Sequence, residues 1–237
     1  MCIRDRSYHP DYPTLRPHRL GIGYYNLVDG KVVLTHRVEI DIDGAKTSVP
    51  ELVGTKRPDL ILLNDGDLAY AKLRLDDRSW QTTLHNLAVV DDSLARALLW
   101  GAAWDSTRDA EADPKDFIHL VLKNIATESN ATAMMTLLNQ LVTVQTMYLK
   151  PENRLEYKVK IADALIEMAR NAEAGSEAQL QFLKYFPRFA SNDEHTSALR
   201  ALLTGSEKLA GREIDTDLKW DLLTGLVAFG KADESEI

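Results

Sequence analysis

The apolar residues of this 237-residue chain change their spacing once, near Asp76, and no other feature constrains its architecture as much. Before that point they alternate. Val38, Ile40 and Ile42 share one side of a run whose other side is Glu39, Asp41 and Asp43, the period of 2 that marks a half-buried strand. After it they recur every three or four residues, as in Trp80, Leu84 and Leu87, which is the spacing of one helix face. The expected fold is mostly α with a β domain in front: a small antiparallel β-sandwich over residues 7–76, then an α-helical domain over 77–237.

The turn residues support the first half of that reading. Five of the eight prolines and six of the twelve glycines precede residue 67. Asp29-Gly30 and Asp43-Gly44 each sit between β-rich runs, a strong hairpin signal. Strands are predicted over 18–26, 31–42, 45–52, 59–63 and 68–75, the last two paired around Asn64-Asp65-Gly66-Asp67. Gly21-Ile22-Gly23 lies inside a strand pattern and reads as a bulge or a close backbone approach.

Eight helices are predicted downstream. Ser93 is expected to cap the second, with Leu94, Leu98, Gly101 and Trp104 inward, and Asp113-Pro114 to open the third, with Phe117, Leu120, Val121 and Ile125 inward. The fourth spans 130–149. The fifth spans 152–174 with Leu155, Val159, Ala162, Ile166 and Ala169 inward, closed by Gly175. Ser176…Gln179 and Ser191…Glu194 fit the capping box and open the sixth and seventh. Leu218, Leu222, Leu223 and Leu226 face inward on the eighth, which follows Asp215 or Thr216 and ends at Gly230. Residues 232–237 read as the first turn of a ninth. Taken in pairs the helices begin near residues 78, 114, 152 and 192, a spacing of roughly 36 to 40 that matches stacked HEAT- or armadillo-like repeats. Such pairs bury their outer faces by stacking into a solenoid.

Charge and composition exclude several function classes. The formal charge of -8 opposes a nucleic-acid or anionic-lipid surface, and no apolar run approaches the ~20 residues that span a bilayer. Residues 1–80 carry 12 basic and 12 acidic side chains; residues 81–237 carry 16 basic against 24 acidic, so the acidity belongs to the helical half. Cys2 is the single cysteine, which rules out both a disulfide framework and a cysteine-ligated metal. With no apolar core of a signal peptide behind the basic amino-terminal residues, a cytoplasmic location is expected. Met1-Cys-Ile-Arg-Asp-Arg6 back-translates to ATG TGT ATA AGA GAC AGN, which resembles a transposase end sequence used in library preparation. Residues 1–6 are therefore expected to be translated adapter, and the chain a fragment at both ends.

A search for chemistry finds no convergent set. The six histidines (His9, His18, His36, His85, His119, His195) include no pair at metal-ligand spacing, and there is no HExxH, GxSxG, Walker A loop or GxGxxG. Glu39-x-Asp41-x-Asp43-Gly44 begins like a calcium loop, but position 12 is Pro50 instead of the required glutamate, and strand alternation explains the same letters. Asp91-Asp92 precede a helix, where negative charge favours the positive end of the dipole. Glu194-His195 is read as a capping glutamate beside a histidine on an exposed first turn. Asn130-Ala131-Thr132 has glycosylation spacing but no secretory context. Trp100, Trp104, Met134, Met135 and Trp220 read as packing. No catalytic, cofactor-binding or metal residue is assigned.

Several stretches nonetheless resemble one family. Leu15-Arg-Pro-His-Arg-Leu-Gly-Ile-Gly-Tyr-Tyr-Asn-Leu27, Arg37-Val-Glu-Ile-Asp-Ile-Asp-Gly44, Pro58-Asp-Leu-Ile-Leu-Leu-Asn-Asp65 and Leu68-Ala-Tyr-Ala-Lys-Leu-Arg-Leu-Asp76 look like the β-sandwich domain of bacterial aminopeptidase N of the actinobacterial type. Asp91-Asp-Ser-Leu-Ala-Arg-Ala-Leu-Leu-Trp-Gly-Ala-Ala-Trp-Asp-Ser-Thr-Arg-Asp109 is similar to the opening of the carboxy-terminal helical domain of those enzymes. The resemblance covers about residues 15–125 in sequence and the rest in architecture.

The resemblance implies a zinc metallo-aminopeptidase of the gluzincin type. Its zinc site lies in a separate thermolysin-like domain carrying HExxH, a distant glutamate and a GxMEN-type segment. None of these is in this chain, so no zinc ligand, general base or substrate anchor is carried over. The implied partners are that missing catalytic domain and peptide substrates, without nucleic acid or membrane. The helical domain would wall a chamber admitting peptides, and its acidity suits entry of a positively charged amino terminus; a solvated outer face accounts for the same charges. Two other readings stand beside this one: a free-standing solenoid scaffold with an accessory β domain, and a hydrolase with an unrecognised site in this chain.

Overall fold

The computed structural model describes residues 2–4, 11 and 15–236, and forms two compact units, Met1–Ala112 and Asp113–Ile237. The protein is mostly α-helical with a smaller antiparallel β part. Helices follow the strands, as the change of period requires. The compact units, however, divide 36 residues past that change, because the first two helices belong to the same unit as the sheet.

Strand β1 (Cys2–Arg4) pairs with β4 (Lys46–Ser48) in a two-stranded ladder. The principal sheet has the order β3-β2-β5, all antiparallel, from β2 (His18–Val28), β3 (Lys31–Ile42) and β5 (Leu60–Asp65). The β2–β3 hairpin turns at Asp29-Gly30, both residues at positive φ, as the Asp-Gly signal predicts. Leu20, Ile22, Tyr24, Ile40 and Ile42 fill one side of the sheet and pack with Val49 and Leu52. The β part is thus smaller than the expected sandwich, a three-stranded sheet and a two-stranded ladder among the described residues. Residues 45–52 form the short β4 and a 3-10 turn (Pro50–Leu52), and 68–75 form no strand.

Helix α1 (Asp77–Asn86) is capped by Asp76 and α2 (Ser93–Arg108) by Asp92, each carboxylate accepting from the N–H three residues on. Asp92 therefore takes the role expected of Ser93. Both inward faces differ in part from the prediction; Leu87 is buried as read, while Trp80 and Leu84 are half-buried. On α1 the buried residues are Ser79 and Thr83, because Ser79 Oγ accepts the Ile61 N–H of β5 at 2.9 Å and Thr83 donates to the Ser79 carbonyl. On α2, Ala95, Leu99, Trp100, Ala102 and Ala103 are buried, whereas Leu94 and Gly101 are exposed and Leu98 and Trp104 half-buried. Apolar residues occupy both stripes of α2, so spacing alone cannot choose between them.

The second unit holds α3 (Pro114–Asn124), α4 (Ala131–Thr143), α5 (Pro151–Asn171), α6 (Glu177–Phe189), α7 (Asp193–Thr204) and α8 (Thr216–Ala228). Helix α4 continues as a π-helical turn, Val144–Tyr148. Helix α5 packs along α6, and α8 packs on both α6 and α7. The predicted inward residues of α3 and α8 are all buried. On α5, Ala162, Ile166 and Ala169 are buried as read, but Leu155 is exposed and Tyr157, Ile161 and Leu165 take the remaining inward positions. Residues 232–237 were expected to begin a ninth helix; Glu234–Glu236 form a 3-10 turn.

Candidate functional site

The most connected polar cluster of the first unit lies on the sheet face opposite the apolar side. Asp65, at the end of β5, is buried. Its Oδ1 accepts the Tyr25 hydroxyl at 2.5 Å and its Oδ2 accepts Arg37 Nε at 2.8 Å, while Arg37 also donates to the Asp65 carbonyl at 3.0 Å. Arg37 then reaches Glu39 at 2.6 Å, and Arg19 joins Glu39 to Asp41. These bonds pull the Glu39 carboxyl below its usual range, the contact with Arg37 being the largest cause. The Tyr25 hydroxyl is raised well above its ordinary value, first by burial and then by the bond to Asp65.

Gly21 and Gly23 make room for this cluster. A Cβ on Gly21 would lie 2.3 Å from the Asp65 carbonyl oxygen, and one on Gly23 would lie 2.6 Å from the Tyr25 ring. The sheet register also shifts between Gly21 and Ile22. Bulge and close approach, the two readings of this glycine pair, are both present. Glu39 and Asp41, which opened the calcium-like pattern, are engaged by arginines, and Gly44 (φ +74°) forms the turn that follows.

A second cluster in this unit secures the segment after β5. Asp109, just past α2, accepts from Lys72 at 2.8 Å and Arg74 at 2.5 Å, and Arg74 also pairs with Glu111. Hydrogen bonds from Lys72 are the largest cause of a lowered Asp109 pKa.

In the second unit, His195 departs from its expected place. It is buried, not exposed, and the cap of α7 is Asn192, whose side chain accepts the His195 N–H at 2.8 Å. Glu194 is exposed and takes no part in the cap. Asn192 lies one residue nearer the helix than Ser191 and is as strong a cap former. The His195 ring accepts the Ser191 N–H at Nδ1 (3.2 Å) and meets Asp163 Oδ1 at Nε2 (2.7 Å). Serine, histidine and aspartate thus gather, but not as a nucleophilic triad. Ser191 Oγ is buried without a hydrogen-bond partner, and both ring nitrogens are committed elsewhere, so neither is placed to take a hydroxyl proton.

An open groove of about 500 Å³ runs between the end of α5 and the start of α6. Ala126, Met168 and Phe182 supply apolar lining, with Glu167, Asn171, Glu173 and Ser176 as its polar groups. Neither Glu167 nor Glu173 has an ion-pair partner among the described residues. At the head of α6, Ser176 caps Gln179 as the capping-box reading predicts, and the Gln179 side chain returns to the Gly175 N–H at 3.0 Å.

Two comparisons place this chain. The model of the ERAP1-like C-terminal domain matches residues 60–237, from β5 to the last residue. The chain belongs to that family. It is also 42% identical over 226 residues to an aminopeptidase N from Streptomyces lividans, a match covering 95% of this chain and 26% of the relative. The chain therefore spans about a quarter of that relative's length. Both findings agree with the resemblance read from the sequence, and the family match concerns a carboxy-terminal domain. Among the described residues no group of three or more His, Cys, Asp or Glu side chains could hold a metal ion, so the residues present do not fit a zinc site. Nor does any helix of the described residues have the length and apolarity to cross a membrane.

The sequence pointed to no site residue: Arg37 read as a strand residue and Asp65 as part of a turn. Nothing in the spacing distinguished His195 from an exposed cap neighbour.

Proposed function

We propose that this chain is the non-catalytic carboxy-terminal part of a zinc-dependent aminopeptidase, with its helical part, a HEAT-like solenoid, walling the chamber that receives peptides. The observation that carries the reading is the 42% identity to aminopeptidase N over 95% of this chain and only 26% of the relative. The family match to an ERAP1-like C-terminal domain supports the same position within a longer polypeptide. The domain limits (7–76 and 77–237), the adapter origin of residues 1–6 and a cytoplasmic location belong to the same proposal. In it, zinc and all bond-breaking residues lie in the catalytic domain outside this chain. The residues here shape access, and the acidic rim formed by Glu167 and Glu173 favours a ligand bearing a free amino group.

The test is direct. The purified chain, with zinc added, is expected to leave an aminoacyl chromogenic substrate intact. The longer polypeptide encoded by the same reading frame is expected to cleave it. Cleavage by this chain alone, or an extended frame without HExxH, overturns the proposal. In the longer polypeptide, Glu167→Lys with Glu173→Lys should lower kcat/KM for short peptides at low salt and do less at high salt; no effect at low salt removes the role given to the acidic rim.

A further inference from the structure

Residues 68–75 carry the alternation of a strand, yet they form none. From Tyr70 to Asp76 the backbone runs without turn, bend or helix. Its side chains are already engaged on two sides. Lys72 and Arg74 are held by Asp109 and Glu111, and Leu73, between them in sequence, is buried. Part of its main chain is open. Among the described residues the N–H and C=O groups of Tyr70, Ala71 and Leu75, and the N–H of Leu73, have no hydrogen-bond partner, and the Tyr70 side chain is fully exposed. The preceding turn reinforces the arrangement. Asn64, Gly66 and Asp67 all have positive φ, and the Asn64 side chain bonds both the N–H and the C=O of Ala69, which fixes where the segment starts.

An extended backbone pinned by its side chains, with free N–H and C=O groups at Tyr70, Ala71 and Leu75, is a template for another strand. We infer that Tyr70–Leu75 forms main-chain hydrogen bonds with an extended strand from the part of the polypeptide outside this chain. The inference rests on the reading of the chain as part of a longer aminopeptidase. The relative is about four times as long as the matched stretch, and the segment lies inside the matched family region. A second copy is the poorer occupant. Antiparallel self-pairing centred on Lys72 or Leu73 sets Lys72 opposite Lys72 or Arg74, and like charges directly opposite are unfavourable.

Amide hydrogen exchange on this chain and on the longer polypeptide from the same frame tests the inference. In this chain the amides of Tyr70, Ala71, Leu73 and Leu75 should exchange at nearly unprotected rates. In the longer polypeptide a subset, alternating along the strand, should slow by on the order of tenfold or more. Tyr70→Pro and Ala71→Pro, made separately, should each leave the melting temperature of this chain nearly unchanged, since no bond is lost. One of the two should lower that of the longer polypeptide. Unprotected amides in the longer polypeptide, or a frame that encodes nothing longer, overturn the inference. So does concentration-dependent protection in this chain, which would assign the edge to a second copy. Peptidase activity decides the proposed function independently: an active polypeptide with these amides unprotected refutes only the strand, and an inactive one with them protected refutes only the enzyme reading.

Discussion

Arg37 Nε and Asp65 Oδ2 lie 2.8 Å apart on a sheet face that Gly21 and Gly23 leave free of side chains. Asp65 is the buried partner and Arg37 is about a third exposed, with side-chain exposures of 8% and 31%. Asp65→Asn removes the buried charge opposite the guanidinium, which keeps Glu39 on its exposed side, and should cost about 2 kcal/mol, less than the loss expected at a fully buried pair. Urea denaturation of the single variants, Arg37→Met and the double variant gives the coupling. A coupling energy of on the order of 1 kcal/mol is expected, and simple additivity would show that the pair contributes nothing of its own.

The Tyr25 hydroxyl donates to the Asp65 carboxylate within the same cluster, and its pKa lies above the ordinary value of 10.0. A raised folded-state value means that the folded protein holds the phenolic proton more tightly than the unfolded chain does. The associated stability is complete below about pH 10 and declines as pH rises beyond it. Denaturation midpoints measured across that range should fall more steeply for the native protein than for Tyr25→Phe. Parallel slopes would remove Tyr25 from the alkaline transition.

Much of this architecture was legible because local signals and global packing agreed. Asp29-Gly30 gave a hairpin, and the period of 2 gave β3 to the residue. Asp113-Pro114 and Ser176…Gln179 gave two helix starts. The misses share a physical cause, competition between residues of similar local merit. Asp92 outcompeted Ser93, and Asn192 outcompeted Ser191, as caps one residue away. Ser79 and Thr83 lie inward because β5 presents an N–H to bond, which no count of apolar residues registers. Residues 68–75 show the same limit in reverse, since a strand pattern records what a segment is suited to and not whether a partner is present.

His195 joins α7 to α5 through Asp163 and holds the Ser191 N–H, one residue before the Asn192 cap. Accepting at Nδ1 and donating at Nε2 specifies the tautomer with its proton on Nε2. Nitrogen shifts of the ring should show an unprotonated, hydrogen-bonded Nδ1. His195→Phe keeps an aromatic ring beside Phe186 but loses both contacts, leaving the half-buried Ser191 N–H unpaired, and should cost about 1–2 kcal/mol. A loss near zero would show that the ring serves only as packing.

Gly23 and Gly101 make opposite predictions from the same substitution. At Gly23 a Cβ would sit 2.6 Å from the Tyr25 ring and 2.9 Å from the Asp65 carboxyl carbon, both side chains being buried and hydrogen-bonded to each other. Neither can yield without breaking the cluster, so Gly23→Ala should destabilise by about 1–3 kcal/mol, as overpacking does elsewhere. At Gly101, inside α2, a Cβ meets nothing within 4 Å and the backbone is already helical. There alanine restricts the unfolded chain and favours the helix, so Gly101→Ala should stabilise by about 0.5–1 kcal/mol. The two changes add the same methyl group within one compact unit, so the difference in sign isolates local space from any general effect of the added carbon. Thermal melts of the two variants beside the native chain give the comparison, and a Gly23→Ala protein as stable as the native one would show that the Tyr25–Asp65–Arg37 cluster is not closely held by β2.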